Sequence, residues 1–305
     1  MASQLHPAIQ AFIAAFRDLP LPPVSSMDAA TMRSIFDTPL PVEPVEIGEI
    51  RELQVPGAES PLEARLYLPQ SQHSNRLTVF FHGGGFVVGT LDSHDGLCRR
   101  LCQTLDSAVI SVAYRLAPEH PFPAAPEDCY AAVQWAAQNR AEFASADASL
   151  LLAGDSAGAC LCASVSLMTR ERGGAAIDAQ LLLYPTVNLP ADNESYKHFG
   201  SGEYFLSCEM MAFYWGHYLQ GDTSPSGLAA PLLSTDLSNL PQTHIVVAEF
   251  DPLLDEGNLF AEKLQQAGNS VHLQQAVGMI HGFMCMPGVD AEIRQLLTNI
   301  ARRLP

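Results

Sequence analysis

A short apolar run passes through a glycine-flanked turn directly into a helix-forming stretch, and this junction constrains the fold more than any other part of the chain. The run is Leu150–Ala153, the turn is Gly154-Asp-Ser-Ala-Gly158, and the helix-forming stretch is Ala157–Arg172. A strand that is apolar throughout, rather than alternating with polar residues, is typical of a strand covered by helices on both faces. Leu77–Phe81 has the same character. The chain therefore predicts an α/β fold with a mostly parallel sheet.

Strand-like and helix-like segments alternate over most of the chain. Eight strands are predicted, at Ile47–Leu53, Leu62–Leu68, Leu77–Phe81, Ala108–Val112, Leu150–Ala153, Ala179–Tyr184, His244–Ala248 and Val271–Gln275. Helices are predicted between the later strands and at the end of the chain, at Ser93–Thr104, Ala124–Arg140, Ala157–Arg172, Glu256–Ala267 and Val289–Leu304. We expect the first two strands to form an antiparallel hairpin at the edge of the sheet.

The first part of the chain has a different character from the rest. Residues 1–45 contain two helix-like stretches, Leu5–Leu19 and Met27–Asp37, separated and followed by prolines. Prolines at this density stop helices and favour extended connections. We therefore expect residues 1–45 to form a helical cap segment on a main domain of residues 46–305.

The alternation of strands and helices is also interrupted inside the main domain. Residues 187–237 contain no evident strand, and their helix-like stretch Cys208–Leu219 is rich in aromatic residues. An insertion of this size is either a cap over a site or a surface element whose aromatic side chains pack on the core. The sequence leaves both interpretations open.

Composition excludes several classes of protein. Of 305 residues 48% are hydrophobic and 16% charged, so the chain can bury a large core and is not disordered. The formal net charge of −17 disfavours nucleic acid and anionic membranes as partners and favours a neutral small substrate. There is no signal-peptide pattern and no run of 18 apolar residues, so we expect a cytoplasmic protein without a membrane span. Seven scattered cysteines without a CxxC pair indicate neither a disulfide framework nor a zinc site.

The glycine-flanked turn predicts a nucleophilic serine. A serine between a strand and a helix sits in a strained backbone region, and only glycine tolerates the close approach of neighbouring turns two residues before and after it. Gly154 and Gly158 occupy those positions around Ser156. The hydroxyl then projects at a helix N-terminus, where N–H groups favour developing negative charge.

Three successive glycines follow another strand. His82-Gly83-Gly84-Gly85 comes directly after Leu77–Phe81 and leaves a row of backbone N–H groups unshielded by side chains. Such groups stabilise the oxyanion of an acyl-transfer intermediate. A dinucleotide-binding loop would instead require a glycine at position 88, which is Val88. An oxyanion hole is therefore the preferred interpretation.

A serine nucleophile needs a base, and the base needs an orienting carboxylate. Of ten histidines, His281 follows the last predicted strand, at the end of the sheet where α/β proteins place their sites. Asp251 comes immediately after the preceding strand, whereas Asp255 and Glu256 lie one turn further on and are typical of a helix N-terminus. The predicted triad is Ser156, Asp251 and His281.

Taken together, the HGGG and GDSAG runs, the stretch Tyr114–Pro123, the stretch Asp251–Gly257 and His281-Gly-Phe283 resemble the hormone-sensitive-lipase family of α/β-hydrolases. The likeness is greatest to its bacterial GDSAG-type carboxylesterases, including acetyl esterases. The resemblance implies an α/β-hydrolase fold and a serine carboxylesterase that uses the triad above and requires no cofactor or metal. It further implies an N-terminal helical cap and pairing of two chains through the sheet edge.

The resemblance also implies which backbone groups form the oxyanion hole, namely the N–H groups of Gly83, Gly84 and Ala157. We expect the walls of the acyl and alcohol pockets to come from five aromatic residues, although core packing explains each of them equally well: Phe86, Tyr184, Phe205, Trp215 and Phe283.

Two polar clusters have simpler interpretations than catalysis. Asp92-Ser-His94-Asp95 contains possible metal ligands, but caps and solvated groups at a helix start explain it better. Arg115, Glu119 and His120 are expected to form structural ion pairs and turns.

The sequence therefore predicts hydrolysis of neutral short- to medium-chain carboxylic esters through an acyl-enzyme. An amidase or an interfacial lipase on the same triad, and a non-catalytic ligand-binding homologue, are the alternatives.

Overall fold

The computed structural model describes residues 4–71, 74–190, 193–222 and 225–305. In this part of the chain, eight strands form one sheet: β1 Glu49–Pro56, β2 Pro61–Leu68, β3 Arg76–Phe81, β4 Ala108–Val112, β5 Ser149–Asp155, β6 Ala179–Leu183, β7 Gln242–Phe250 and β8 Val271–Ile280. Their spatial order is β1-β2-β4-β3-β5-β6-β7-β8. The predicted number of strands is confirmed.

The sheet is parallel except at its beginning. β1 pairs with β2 antiparallel, and β2 pairs with β4 antiparallel, whereas every pairing from β4 through β8 is parallel. The predicted edge hairpin is thus confirmed. β8 ends five residues beyond its predicted end. The prediction stopped early because exposed positions alternate with buried ones in this strand and interrupt the apolar run.

Nine α-helices surround the sheet in the described residues: α1 Pro7–Arg17, α2 Ala29–Phe36, α3 Asp95–Leu105, α4 Ala124–Gln138, α5 Ala157–Arg172, α6 Glu194–Phe199, α7 Cys208–Leu219, α8 Leu254–Gln266 and α9 Asp290–Ala301. All were predicted within a few residues except α6, whose six residues carry no clear period. None of these helices is long and apolar enough to cross a membrane.

The strands separate two apolar cores, one on each face. Along β5, Leu150 and Leu152 belong to the core beneath α4, α5 and α8, and Leu151 and Ala153 to the core beneath α3 and α9. Both faces are covered, which explains why β5 is apolar at successive positions.

The N-terminal segment and the insertion meet over the carboxyl ends of the strands. The Phe205 ring, between α6 and α7, makes edge contacts with Phe12 and Phe16 of α1 and with Phe36 of α2, at centroid distances of 5.6, 5.0 and 6.1 Å. These contacts close the space above the sheet. The boundary at residue 45 stays a prediction.

Candidate active site

The turn between β5 and α5 holds Ser156 in a strained conformation, with φ 51° and ψ −116°. Its N–H donates to Leu183 O at 2.8 Å. A Cβ atom at Gly154 would collide with the backbone of Gly158, and a Cβ atom at Gly158 would collide with the Phe81 carbonyl. The predicted steric reason for both glycines is confirmed.

Ser156, His281 and Asp251 lie in one hydrogen-bonded line. Ser156 Oγ is 2.8 Å from His281 Nε2, and His281 Nδ1 is 2.8 Å from Asp251 Oδ2. Asp251 is 1% exposed, and its Oδ1 accepts the Leu253 N–H at 2.9 Å. The imidazole is therefore held by a buried carboxylate, with its other nitrogen at the serine hydroxyl, as a Ser-His-Asp triad requires.

The neighbouring carboxylates hold the insertion rather than the imidazole. Asp255 Oδ2 accepts the Ser195 N–H at 2.9 Å, and Glu256 Oε1 accepts the Val187 N–H at 2.8 Å. Burial raises the pKa of Glu256, although two backbone N–H groups oppose the shift. Both residues lie in the first turn of α8, where the sequence placed them.

The three glycines after β3 do not have equivalent N–H groups. The Gly83 N–H donates to Asp155 Oδ1 at 2.8 Å and is therefore engaged, contrary to the expectation that it points into an oxyanion hole. In the described part of the chain, the N–H groups of Gly84 and Gly85 have no protein acceptor, and both residues line the cavity above Ser156. The Ala157 N–H lies in the first turn of α5, where helical acceptors are lacking.

Close packing explains why Gly84 and Gly85 have no side chains. Gly84 has φ 112°, and a Cβ atom there would collide with the Val88 carbonyl. Gly85 has φ 59°, and a Cβ atom there would enter the Tyr214 ring. Their conformations expose the backbone to the cavity and exclude larger residues.

Asp155 is a buried carboxylate that the sequence reasoning overlooked. It is 4% exposed, and besides the Gly83 N–H it faces His94 Nε2 at 3.4 Å. Burial opposes its ionisation, but His94, the Gly83 N–H and His82 together hold the pKa of Asp155 below its usual value. Its position within the GDSAG turn, beside the proposed nucleophile, was the sequence feature that could have identified it.

His82 helps to hold in place the loop that carries Gly83, Gly84 and Gly85. Its ring stacks on Tyr114 at a centroid distance of 4.4 Å, and the Tyr114 hydroxyl donates to His82 O at 2.6 Å. Burial, together with the nearby His94, lowers the pKa of His82 to about 4. The imidazole is therefore neutral around pH 7.

An apolar cavity of about 150 Å³ opens above Ser156 and His281. Three of the predicted wall residues, Phe86, Phe205 and Trp215, line it. Tyr184 and Phe283 do not: Tyr184 packs edge-on against His281 at 4.9 Å, and Phe283 packs behind Tyr184 at 5.6 Å. These two aromatic side chains support the imidazole instead of contacting a substrate.

Several wall residues were not predicted. They come from the N-terminal segment and from the insertion, and they include Phe12, Phe36, Leu40, Leu206, Met210, Met211 and Tyr214. Both interpretations of the insertion hold for the aromatic residues of α7. Trp215 lines the cavity, as in a cap, whereas Tyr218 packs on the core and stacks on Phe86 at a centroid distance of 3.8 Å.

Arg115 and Glu119 form structural ion pairs, as expected. Arg115 Nε is 2.7 Å from Asp128 Oδ2, and Arg33 Nη2 is 2.6 Å from Glu119 Oε2. His120 is exposed.

The Asp92–Asp95 cluster does not converge on one point. Asp92 pairs with Arg65 at 2.8 Å, and Asp95 pairs with Arg99 at 2.5 Å. Of the three possible ligands Asp92, His94 and Asp95, only His94 lines the cavity.

Comparisons with known proteins agree with this architecture. Residues 78–285 match the family described as alpha/beta hydrolase fold. The chain is 38% identical to the carboxylic ester hydrolase LipN of Mycobacterium tuberculosis, over 84% of this chain and 69% of the relative. It is 34% identical to an ethyl acetate hydrolase of Pseudomonas putida, over 80% of this chain and 78% of the relative.

A solved structure shows the same likeness over nearly the whole chain. The esterase of Pyrobaculum calidifontis superimposes with a TM-score of 0.89 at 33% identity, covering 98% of this chain and 97% of that one. The chain therefore belongs to the hormone-sensitive-lipase-like family of α/β-hydrolases.

Proposed function

We propose that this chain is a serine carboxylesterase that hydrolyses neutral esters of short to medium acyl chain length. Ser156 attacks the ester carbonyl while His281 accepts its proton, and Asp251 orients the imidazole and stabilises its cation. The alcohol leaves with the proton that His281 returns. Water, activated by the same imidazole, then hydrolyses the acyl-enzyme and releases the acid.

The observation that carries the proposal is the pair of 2.8 Å contacts joining Ser156, His281 and Asp251 beneath an apolar cavity. A strained serine at a helix N-terminus and a buried carboxylate on the far nitrogen of the imidazole are the arrangement that acyl transfer uses. The relatives named as ester hydrolases support the same reaction.

The N–H groups proposed to hold the oxyanion are those of Gly84, Gly85 and Ala157. This set replaces Gly83 with Gly85, because the Gly83 N–H already donates to Asp155. Each preset donor of this kind contributes about 3–4 kcal/mol to stabilising the transition state.

The cavity supports a small neutral substrate. Most of its wall is apolar, and no Lys or Arg is among the described residues that line it, so a substrate carboxylate or phosphate would lose its hydration without a partner. A volume of about 150 Å³ suits a short acyl or alcohol group. We propose that residues 1–45 and 187–237 act as the cap that sets this limit.

Three alternative functions are compatible with the same residues: an amidase, an interfacial lipase and a non-catalytic receptor. Comparing ester with anilide turnover separates the amidase, and activation by substrate droplets identifies the lipase. Rapid labelling of Ser156 by a fluorophosphonate excludes the receptor.

The test of the proposed function is Ser156→Ala with p-nitrophenyl esters of increasing acyl length. We expect activity to fall by at least about 10⁴-fold while the circular dichroism spectrum is unchanged. Ser195→Ala is the matched control, because Ser195 is a buried serine outside the cavity whose hydroxyl donates to Pro252 O at 2.6 Å. Substantial esterase activity in Ser156→Ala would overturn the proposal.

Assembly and location remain predictions. The β8 edge exposes Leu273 and Val277, which supports pairing of two chains through this strand. Cytoplasmic localisation rests on the sequence alone.

A further inference from the structure

Three side chains of different chemistry converge at one end of the cavity. The donor atoms of His94, Asp155 and Cys285 all lie within 4.8 Å of one another, and the three residues line the same cavity as Ser156. None of them takes part in the proposed proton transfers. They come from three separate parts of the fold: the start of α3, the end of β5 and the turn that precedes α9.

The charge balance of this group favours a cation. Asp155 is buried, and in the described part of the chain His94, at 3.4 Å, is the one basic side chain within ion-pairing distance of its carboxylate. An imidazole, a carboxylate and a thiol are also the three side-chain types that bind Zn²⁺ in proteins.

Cys285 gives the group access to solvent. It lines the cavity above Ser156 and also a surface groove formed with Pro39–Val45 and the beginning of α3. Cys285 is half-buried, whereas the five cysteines at positions 98, 102, 129, 160 and 162 are buried. Cys285 therefore borders the groove as well as the cavity above Ser156.

We propose that His94, Asp155 and Cys285 form an inhibitory binding site for Zn²⁺ or another thiophilic divalent cation. His94 binds through a neutral ring nitrogen, Asp155 through a carboxylate oxygen and Cys285 as thiolate, which leaves a fourth position for water from the cavity. The thiol proton is released to solvent as the metal–sulfur bond forms, so no oxidant or reductant is needed. Mg²⁺ and Ca²⁺ prefer oxygen ligands and should not compete.

Inhibition follows from what Asp155 already does. Its carboxylate accepts the Gly83 N–H and so positions the loop that carries Gly84 and Gly85. A cation bound to the same carboxylate weakens this hydrogen bond and displaces the loop. This consequence rests on the proposed function, whereas binding of the cation does not.

Binding is tested on the metal-free full-length protein with Co²⁺ as a spectroscopic probe and Zn²⁺ in calorimetry. We expect one site per chain, a thiolate-to-cobalt charge-transfer band in the near ultraviolet, and loss of that band in Cys285→Ser. Cys208→Ser is the matched control, since Cys208 is an exposed cysteine that does not line the cavity, and it should keep both the band and the stoichiometry.

The consequence is tested by titrating ester hydrolysis with Zn²⁺ and expressing each rate relative to the same variant without metal. The concentration for half inhibition should rise at least about tenfold in Cys285→Ser and be unchanged in Cys208→Ser. His94→Gln provides a second variant if Cys285→Ser does not fold. Absence of the band in the wild-type protein, or equal binding by Cys285→Ser, would overturn the proposed site.

If the site binds Zn²⁺ as expected but hydrolysis is unaffected, inhibition through Asp155 is wrong. If Ser156→Ala leaves activity intact while the cobalt band is present, the proposed function fails and the metal site stands.

Discussion

The Gly83 N–H donates to the carboxylate of Asp155, the residue directly before the strained serine, across 2.8 Å. This bond joins the loop after β3 to the turn after β5. It consequently sets the height of Gly84 and Gly85 above Ser156, and it makes the proposed oxyanion loop depend on a carboxylate that takes no part in the proposed proton transfers.

Asp155→Ala should lower kcat for p-nitrophenyl acetate by about 10- to 100-fold, with a smaller change in KM. The reason is that the buried Gly83 N–H loses its acceptor, which costs about 1–3 kcal/mol and is relieved when the loop shifts. Steady-state kinetics measure both constants.

Asp155→Asn is the comparison for this prediction, because the amide oxygen can still accept the Gly83 N–H. It should retain more activity than Asp155→Ala. Equal losses in the two variants would show that the negative charge, rather than the hydrogen bond, matters.

Asp251→Asn should reduce kcat by about 10⁴-fold and leave the fold intact. The amide presents no charge to the imidazolium and favours the wrong ring tautomer. Asp255→Asn is the control, since Asp255 accepts the Ser195 N–H and does not contact His281. The measurement is kcat of both variants with one short ester. A comparable loss of kcat in Asp255→Asn would contradict the assignment of Asp251 as the residue that orients the imidazole.

Met211→Ala should shift the preferred acyl chain to greater length. Met211 lines the cavity and is 4% exposed, so its truncation enlarges the space above Ser156 at a stability cost of about 2–5 kcal/mol. A series of p-nitrophenyl esters measures the preference.

Phe213→Ala tests whether that shift is specific. Phe213 lies on the same helix and does not line the cavity, so the optimum should stay where the wild-type protein has it. A shift of the same size in both variants would mean that loosening α7, and not cavity volume, changes the preference.

Stability should decrease as the pH falls from about 6.5 to about 4, partly because of His82. The pKa of this buried imidazole is about 4 in the folded chain, against 6.5 for an ordinary histidine, so in this interval the unfolded chain binds a proton that the folded chain does not. His82 alone then accounts for a loss of about 3 kcal/mol across the interval.

Urea unfolding at several pH values checks this prediction. In His82→Asn, the free energy of unfolding should depend less steeply on pH between 4 and 6.5, while the dependence above pH 7 should match the wild-type protein. Parallel curves over the whole range would rule out His82 as the source.

The sequence predicted best what local chemistry specifies. Ser156 lies between two glycines, and a strained strand-to-helix turn is the geometry that requires both of them. Asp251 and His281 follow directly after strands whose carboxyl ends lie at the same edge of the sheet. Periodicity and spacing suffice for such positions, because the carboxyl ends of parallel strands converge in any sheet of this kind.

The sequence did not distinguish among groups that look alike locally. Gly83, Gly84 and Gly85 are chemically identical, and only the tertiary contact with Asp155 shows which N–H is engaged. In the same way, Tyr184 and Phe283 are aromatic residues near the triad, but the direction of each ring depends on packing around His281. The residues from α1 and α2 were missed because they reach the cavity from distant parts of the chain.

The contacts of Phe205 with α1 and α2 have a consequence for the diversity of related enzymes. The three residues of the proposed triad follow the ends of strands, whereas much of the cavity wall is formed by segments that cross above the sheet. Such segments can be exchanged between relatives, or lengthened, without moving the serine, the imidazole or the carboxylate. New substrate ranges can therefore arise by grafting, with the chemistry inherited unchanged.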